Sequence, residues 1–258
     1  MPTTEKISEA TCSKGNFSKV NMANNDINLS VQPLLSDPLF SLKNHQLSYQ
    51  HQQVFSDISL TINRGEKVAI IGPSGVGKTS LLNTLYSQQS DNTAFCQQQL
   101  NLIPNLSAYN NIYLGRLNEF SAWQNLCNLV SFNKEQWQII EDITQQLDID
   151  HQLKKSISQL SRGQQQRVAI ARALYQNKNI FFADEPVSSL DPKLAHQVLN
   201  LLVKQHQSCV VTLHDRQLAL DHFDRIIGLK QGSDNHSHIV IDQRSADLQL
   251  TDLDELYR

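Results

Sequence analysis

The hydrophobic pattern of the chain changes character near residue 40. Residues 1 to 38 are rich in Ser, Thr, Asn and Lys and hold neither a period of 2 nor one of 3.6, which predicts a disordered N-terminal extension. Downstream, Val54-Phe-Ser-Asp-Ile-Ser-Leu-Thr-Ile62 alternates apolar and polar positions as a half-buried strand does, and Asn63-Arg64-Gly65-Glu66 reads as the turn after it. Four apolar runs follow: Val68 to Ile71, Ile180 to Ala183, Cys209 to Leu213 and Ile226 to Leu229. They alternate with helical stretches, so the expected architecture is α/β, a mostly parallel sheet with helices on its faces. Residues 116 to 158 look helical, and Trp137, Ile139, Ile140, Ile143 and Leu147 fall near helical spacing, a stripe that predicts core packing rather than a cofactor site. There is no internal repeat at a fixed period.

Composition narrows the class. At 258 residues, 40% hydrophobic and 18% charged, the chain can bury one substantial core. A formal net charge of -3 gives no basic field of the kind that drives sequence-independent nucleic-acid binding, and no nucleic acid is expected as a partner. Cys12, Cys96, Cys127 and Cys209 show no CxxC spacing, so neither a zinc site nor a disulfide framework is indicated, and a reducing compartment fits. No stretch approaches the roughly 18 apolar residues of a membrane span, and the polar N-terminus lacks the apolar stretch of a signal peptide. Membrane association is therefore expected only through a partner.

The strongest chemical signal is Gly72-Pro73-Ser74-Gly75-Val76-Gly77-Lys78-Thr79, directly after an apolar run and before the helical stretch that starts at Ser80. Glycines at this spacing let successive backbone N–H groups point into one concavity, which the positive end of the next helix completes. Lys78 then reaches the β- and γ-phosphates of a nucleoside triphosphate and the Thr79 hydroxyl ligates Mg²⁺. A second signal is Ile180-Phe-Phe-Ala-Asp184-Glu185-Pro186, two carboxylates at the end of a buried strand, where open α/β sheets keep their ligand crevice. Asp184 can hold the magnesium shell through water, and Glu185 can polarise an attacking water.

The segment Leu160-Ser161-Arg162-Gly163-Gln164-Gln165-Gln166-Arg167, just before the acidic strand, resembles the signature motif of ATP-binding cassette (ABC) proteins. In that family, Ser and Gly ahead of the helix bind the γ-phosphate held by the phosphate loop of a second subunit, so the resemblance implies an ATP-sandwich homodimer using Ser161, Gly163 and Gln164. It also places Tyr49 against adenine, Gln98 near Mg²⁺ and the water, Asp191 in a dimer-contacting loop with Ser188 and Ser189, and His214 on the γ-phosphate. Glu185, His214, Gln98 and Lys78 are thus the catalytic candidates. Thr79, Gln98 and Asp184 are the metal candidates, and residues 72 to 80 with Tyr49 complete the nucleotide site.

The resemblance further implies ATP and Mg²⁺ as cofactors, integral membrane permease subunits as partners, indirectly a solute-binding protein, and a peripheral place on the cytoplasmic face of the inner membrane. Asp224 to Lys230, Asp252 to Tyr257 and Asn111 to Leu117 look like importers of phosphonate and related phosphorus oxyanions. The expected division is a nucleotide-binding domain over 39–232, with a helical subdomain at about 104–175, and a C-terminal tail over 233–258 packing on it. Two departures stand out. Arg162 occupies a position where the family usually has glycine, and Gln98 follows Lys78 by only 20 positions, too few for the usual antiparallel strands. A reduced antiparallel β-subdomain is expected, which bears on Tyr49 and Gln98. Two other readings stay open here: a regulatory cassette ATPase without a permease, and an ATP-binding module with weak hydrolysis.

Overall fold

A computed structural model describes residues 38–49, 52–130 and 132–257, so the extension expected over 1–38 lies outside the described residues except for Pro38. The chain after it begins with β1 (Pro38–Tyr49) and β2 (Gln52–Asn63), an antiparallel pair. A turn at Arg64-Gly65 leads into β3 (Lys67–Ile71), the phosphate-loop segment and helix α1 (Lys78–Tyr86). The short β4 (Thr93–Cys96) precedes four helices: α2 (Ala108–Tyr113), α3 (Ala122–Val130), α4 (Lys134–Gln146) and α5 (Arg162–Tyr175). The remainder alternates: β5 (Ile180–Asp184), α6 (Pro192–Gln205), β6 (Ser208–Leu213), α7 (Arg216–His222), β7 (Arg225–Gln231), β8 (Ser237–Arg244) and α8 (Leu250–Asp254).

The central sheet has the order β4-β5-β6-β3-β7-β8, parallel throughout except for β8, which returns antiparallel to β7. Its inner strands are buried on both faces, which is why they read as continuous apolar runs. Successive side chains go to opposite sides. Val68, Ile70, Phe182 and Val210 join a core with Phe40, Phe55 and Ile62 of the β1–β2 pair and Leu81 and Leu85 of α1. Ala69, Phe181, Val211 and Leu213 face a second core with Val168 and Ile170 of α5 and Val198 and Leu199 of α6. The expected stripe of α4 belongs to that second core: Ile140 and Leu147 are fully buried, with Trp137, Ile139 and Ile143 packed on it.

Three strands lie beyond the sequence expectations, the first being β1, which pairs with the expected β2. The interval between Lys78 and Gln98 does hold a strand, β4, but it extends the parallel sheet rather than an antiparallel one. Residues 237–244 add the antiparallel edge strand β8, so the C-terminal segment is part of the sheet itself. The separate antiparallel layer is reduced to β1 and β2.

Candidate functional site

The loop between β3 and α1 takes a shape that side chains would block. Gly77 lies at φ 94 and caps α1 in a left-handed conformation. A Cβ added there would stand 2.5 Å from Cγ1 of Val54, and one added at Gly72 would stand 2.5 Å from the Leu229 carbonyl oxygen. The loop is thereby wedged between β2 and β7. The first N–H groups of α1 have no carbonyl partners within the helix, and Ser74, Gly75, Gly77, Lys78, Thr79 and Ser80 line a cavity of ≈ 330 Å³. Lys78 is 5% exposed, and its Nζ donates to the carbonyl oxygens of Gly72 (2.9 Å) and Pro73 (3.0 Å). Burial pushes its pKa down, while the negative charges of Glu185 and Asp184 push it back up. Further negative charge in the cavity would act as those carboxylates do and hold the ammonium protonated.

The carboxylates meet this loop from β5. Asp184 is 1% exposed and accepts from the Thr79 hydroxyl at 2.7 Å on one oxygen and from the Thr212 hydroxyl on the other. Thr212 sits opposite it in the parallel β5–β6 register. The same Thr212 oxygen accepts from the Glu185 backbone N–H at 3.0 Å, so one buried hydroxyl ties both acidic residues together. Glu185 has φ 52, a left-handed conformation that costs a non-glycine residue about 1 to 2 kcal/mol. Its backbone N–H is also held by the Thr212 carbonyl. Its side chain is clamped from two sides: Oε1 lies 2.5 Å from Nε2 of His214, and Oε2 accepts from Nε2 of Gln98 at 3.3 Å.

Gln98 therefore reaches the site despite the short interval. The loop after β4 is fixed by the Arg172 guanidinium of α5, which donates to the carbonyl oxygens of Leu100 and Asn101 (2.8 Å for the latter). The hydroxyl of Thr79 and the carboxylate of Asp184 are hard oxygen donors side by side. Such a pair fits Mg²⁺, which takes one or two carboxylates and fills its octahedron with substrate phosphates and water.

The second anion-binding candidate is elsewhere in the chain. Ser161 caps α5 through a capping box with Gln164: Ser161 Oγ accepts from the Gln164 N–H at 3.3 Å, and Gln164 Oε1 accepts from the Ser161 N–H at 2.9 Å. A Cβ at Gly163 would press to 3.0 Å on the Ser189 carbonyl, so the loop before α6 packs tightly here. Asp191 caps α6, accepting from the Leu194 N–H at 3.1 Å. None of Ser161, Gly163, Gln164 and Asp191 lines the cavity at Lys78. Arg162 is the first residue of α5 and is not among the positive-φ residues, so it bears no left-handed strain. Arg162→Gly is accordingly expected to leave ATP turnover within about twofold, because the N–H is kept and only a fraction of the helix-propensity difference applies at a terminus. Steady-state phosphate release measures this. Tyr49 ends β1 with its backbone opposite Gln52, and its side chain lies outside the described residues.

Sequence reasoning missed the buried Thr212 and five residues that line the cavity, among them Gln53 and Val54 of β2. The one signal for Thr212 is a lone hydroxyl in an apolar run, a group that needs a partner when buried, and the partner itself is not encoded there. Gln231, Asn235 and Ser237, from β7, β8 and the turn between them, line the cavity wall and carry no sequence signal.

The ABC transporter family matches residues 55–188. The chain is similar to the phosphonates import ATP-binding protein PhnC 2 of Pseudomonas aeruginosa (strain UCBPP-PA14), 36% identical over 235 residues that cover 80% of this chain and 85% of that protein. It is 33% identical over 257 residues to the phosphonates import ATP-binding protein PhnC of Caulobacter vibrioides, covering 87% of this chain and 95% of that one. Among solved structures, the dimeric structure of a bacterial ABC transporter cassette superposes with a TM-score of 0.67 at 28% identity, covering 80% of this chain and 98% of that chain. A dimeric post-hydrolysis cassette bound to ADP and Pi gives 0.63 at 27% identity, covering 80% and 98%.

Proposed function

Since this chain belongs to the ABC transporter family, as one of its ATP-binding cassettes, we propose that its ATPase activity energises a membrane importer of phosphonate or a related phosphorus oxyanion. The observation that carries the chemistry is the continuous hydrogen-bonded array Thr79–Asp184–Thr212–Glu185–His214 beside the Lys78 loop. It sets a proton-accepting carboxylate against a phosphate-binding loop. In this reading, Glu185 takes the proton of a water that attacks the γ-phosphorus in line, and the bond to the β-bridging oxygen breaks, leaving ADP and phosphate. Lys78 neutralises charge on the phosphates, and His214 and Gln98 hold Glu185 and the water in place. Thr79 and Gln98, with Asp184 through water, would hold magnesium, which would supply Lewis-acid stabilisation of the phosphate oxygens.

Ser161, Gly163 and Gln164 complete the site from a second copy, with Asp191 at the contact, as the dimeric form of the solved relatives supports. Driving such a closure from 1:99 to 99:1 takes about 5.5 kcal/mol of differential binding, which contacts made only in the closed dimer can supply. The permease subunits would hold the cassette at the cytoplasmic face of the membrane, with a solute-binding protein delivering cargo on the far side. Among the described residues no helix is long and apolar enough to cross a membrane. Helix α3 exposes Trp123 (72%) and Leu126 (54%), apolar surface of a kind that partners cover. The phosphonate assignment rests on the similarity to the two phosphonates import ATP-binding proteins. A tagged chain purified from native membranes is expected to bring down an integral membrane permease. Co-purification of ribosomes or DNA instead would favour a regulatory cassette without a permease.

A further inference from the structure

The segment after β8 returns to the phosphate loop. Helix α8 runs into a single 3₁₀ turn, Glu255–Tyr257, and two apolar residues anchor it: Leu253 and Leu256 are buried in the core that holds Leu218 and Ala219 of α7. Leu256 packs on β7, where a Cβ added at Gly228 would stand 3.0 Å from its Cδ1. Gly72 packs on the next residue of that strand, since a Cβ added there would meet the Leu229 carbonyl oxygen at 2.5 Å. The 3₁₀ turn and the first residue of the phosphate loop therefore meet consecutive residues of β7.

Polar contacts join them. Lys230 Nζ, from β7, donates to the Glu255 carbonyl at 2.8 Å. Arg216, the first residue of α7 and two positions after His214, pairs its guanidinium with the Asp254 carboxylate and lies 5.1 Å from the centre of the Tyr257 ring, within cation–π range. Burial pushes the Tyr257 phenol up, while a hydrogen bond with the Gly72 backbone and the Arg216 charge pull it down. Gly72 also accepts from Lys78 Nζ at 2.9 Å on its carbonyl oxygen, so the start of the loop is gripped by the tyrosine and the lysine together.

We propose that Tyr257 is a positioning residue of the phosphate site: held by Arg216 and Asp254, its hydroxyl fixes Gly72 and with it the start of the loop that receives the phosphates. This rests on the reading of the Lys78 loop as a phosphate site and deepens it. A loop whose N–H groups must converge on one anion loses affinity when its first residue is free to shift, because the ordering then has to occur on binding.

The rival role for Tyr257 is packing alone. Tyr257→Phe separates the two, because it keeps the ring beside Arg216 and removes only the hydroxyl, on a residue that is 39% exposed. Equilibrium binding of ATP and of inorganic tripolyphosphate, each with Mg²⁺, would be measured for the full chain, for Tyr257→Phe and for Asp254→Asn, together with steady-state kcat and KM. Tyr257→Phe is expected to bind both ligands about 3- to 10-fold more weakly, the loss of one hydrogen bond, and to raise KM for ATP by a similar factor with kcat within about twofold. Asp254→Asn, which frees Arg216, should weaken both ligands as well. Parental affinities in either variant would overturn the proposal, as would a loss confined to ATP with tripolyphosphate unchanged. Lys78→Ala is the control for the underlying reading: it should weaken both ligands, and if it weakens neither, the phosphate site itself is wrong. Parental affinities in Tyr257→Phe beside a weakened Lys78→Ala would overturn the proposal alone.

Discussion

Replacing Glu185 by Gln is expected to lower ATP turnover by about 10²- to 10⁴-fold, the range for loss of a general base, with nucleotide binding retained. The substitution keeps size and the Gln98 and His214 neighbours but replaces the basic carboxylate with an amide that cannot take the proton. The backbone survives, because φ 52 at this position is held by the N–H bonds to Thr212, which do not involve the side chain. A cassette that closes on ATP but cannot hydrolyse it should accumulate as an ATP-bound dimer. Size-exclusion chromatography with ATP and Mg²⁺, alongside phosphate release, reads both effects. A folded Glu185→Gln protein that stays monomeric with ATP, or that hydrolyses ATP at the parental rate, would contradict the role given to this carboxylate.

Lys78→Ala is expected to weaken ATP binding by about 10- to 150-fold, since a hydrogen bond to a charged group contributes about 1.5 to 3 kcal/mol. Turnover should fall by a further 10² or more, as charge developing on the phosphates loses its nearest cation. The fold should persist. The contacts of Nζ are to two carbonyl oxygens of the loop, Gly72 and Pro73, which open on the cavity and can be hydrated in its place. Isothermal titration with ATP and a thermal melt together separate lost binding from lost folding. Parental ATP affinity in this variant would remove the Lys78 loop as the phosphate site.

How much of this could be seen in the sequence depended on how local each feature is. The phosphate loop, the acidic strand and the capped start of α5 are each encoded within one short segment, where glycine spacing, burial pattern and capping chemistry leave few alternatives. The continuous apolar runs marked β3, β5, β6 and β7 because strands buried on both faces carry no polar alternation. Features made by pairing across the chain were not legible. Thr212 matters because the β5–β6 register sets it opposite Asp184, and no spacing within either strand encodes that register. The β7–β8 wall was hidden for the same reason, since β8 is half exposed and its alternation is broken by a register shift beside Gly228. Arg162 stands where the family usually has glycine without backbone strain, because Ser161 caps α5 and Arg162 begins the helix with ordinary φ.

The central claim is that one catalytic site is divided between two copies, with the Lys78 loop of one copy closed by the Ser161 helix start of the other. Mixing two inactive variants tests it most directly. Lys78→Ala disables the loop, and Ser161→Arg, at an exposed helix cap, disables the closing surface. If the site is divided, a mixed dimer holds one site built from two undamaged halves, and an equal mixture should regain about a quarter of parental turnover from two-fold symmetry and random pairing. Turnover of the mixture equal to the mean of the two variants measured separately would contradict the claim and place the whole site within a single chain.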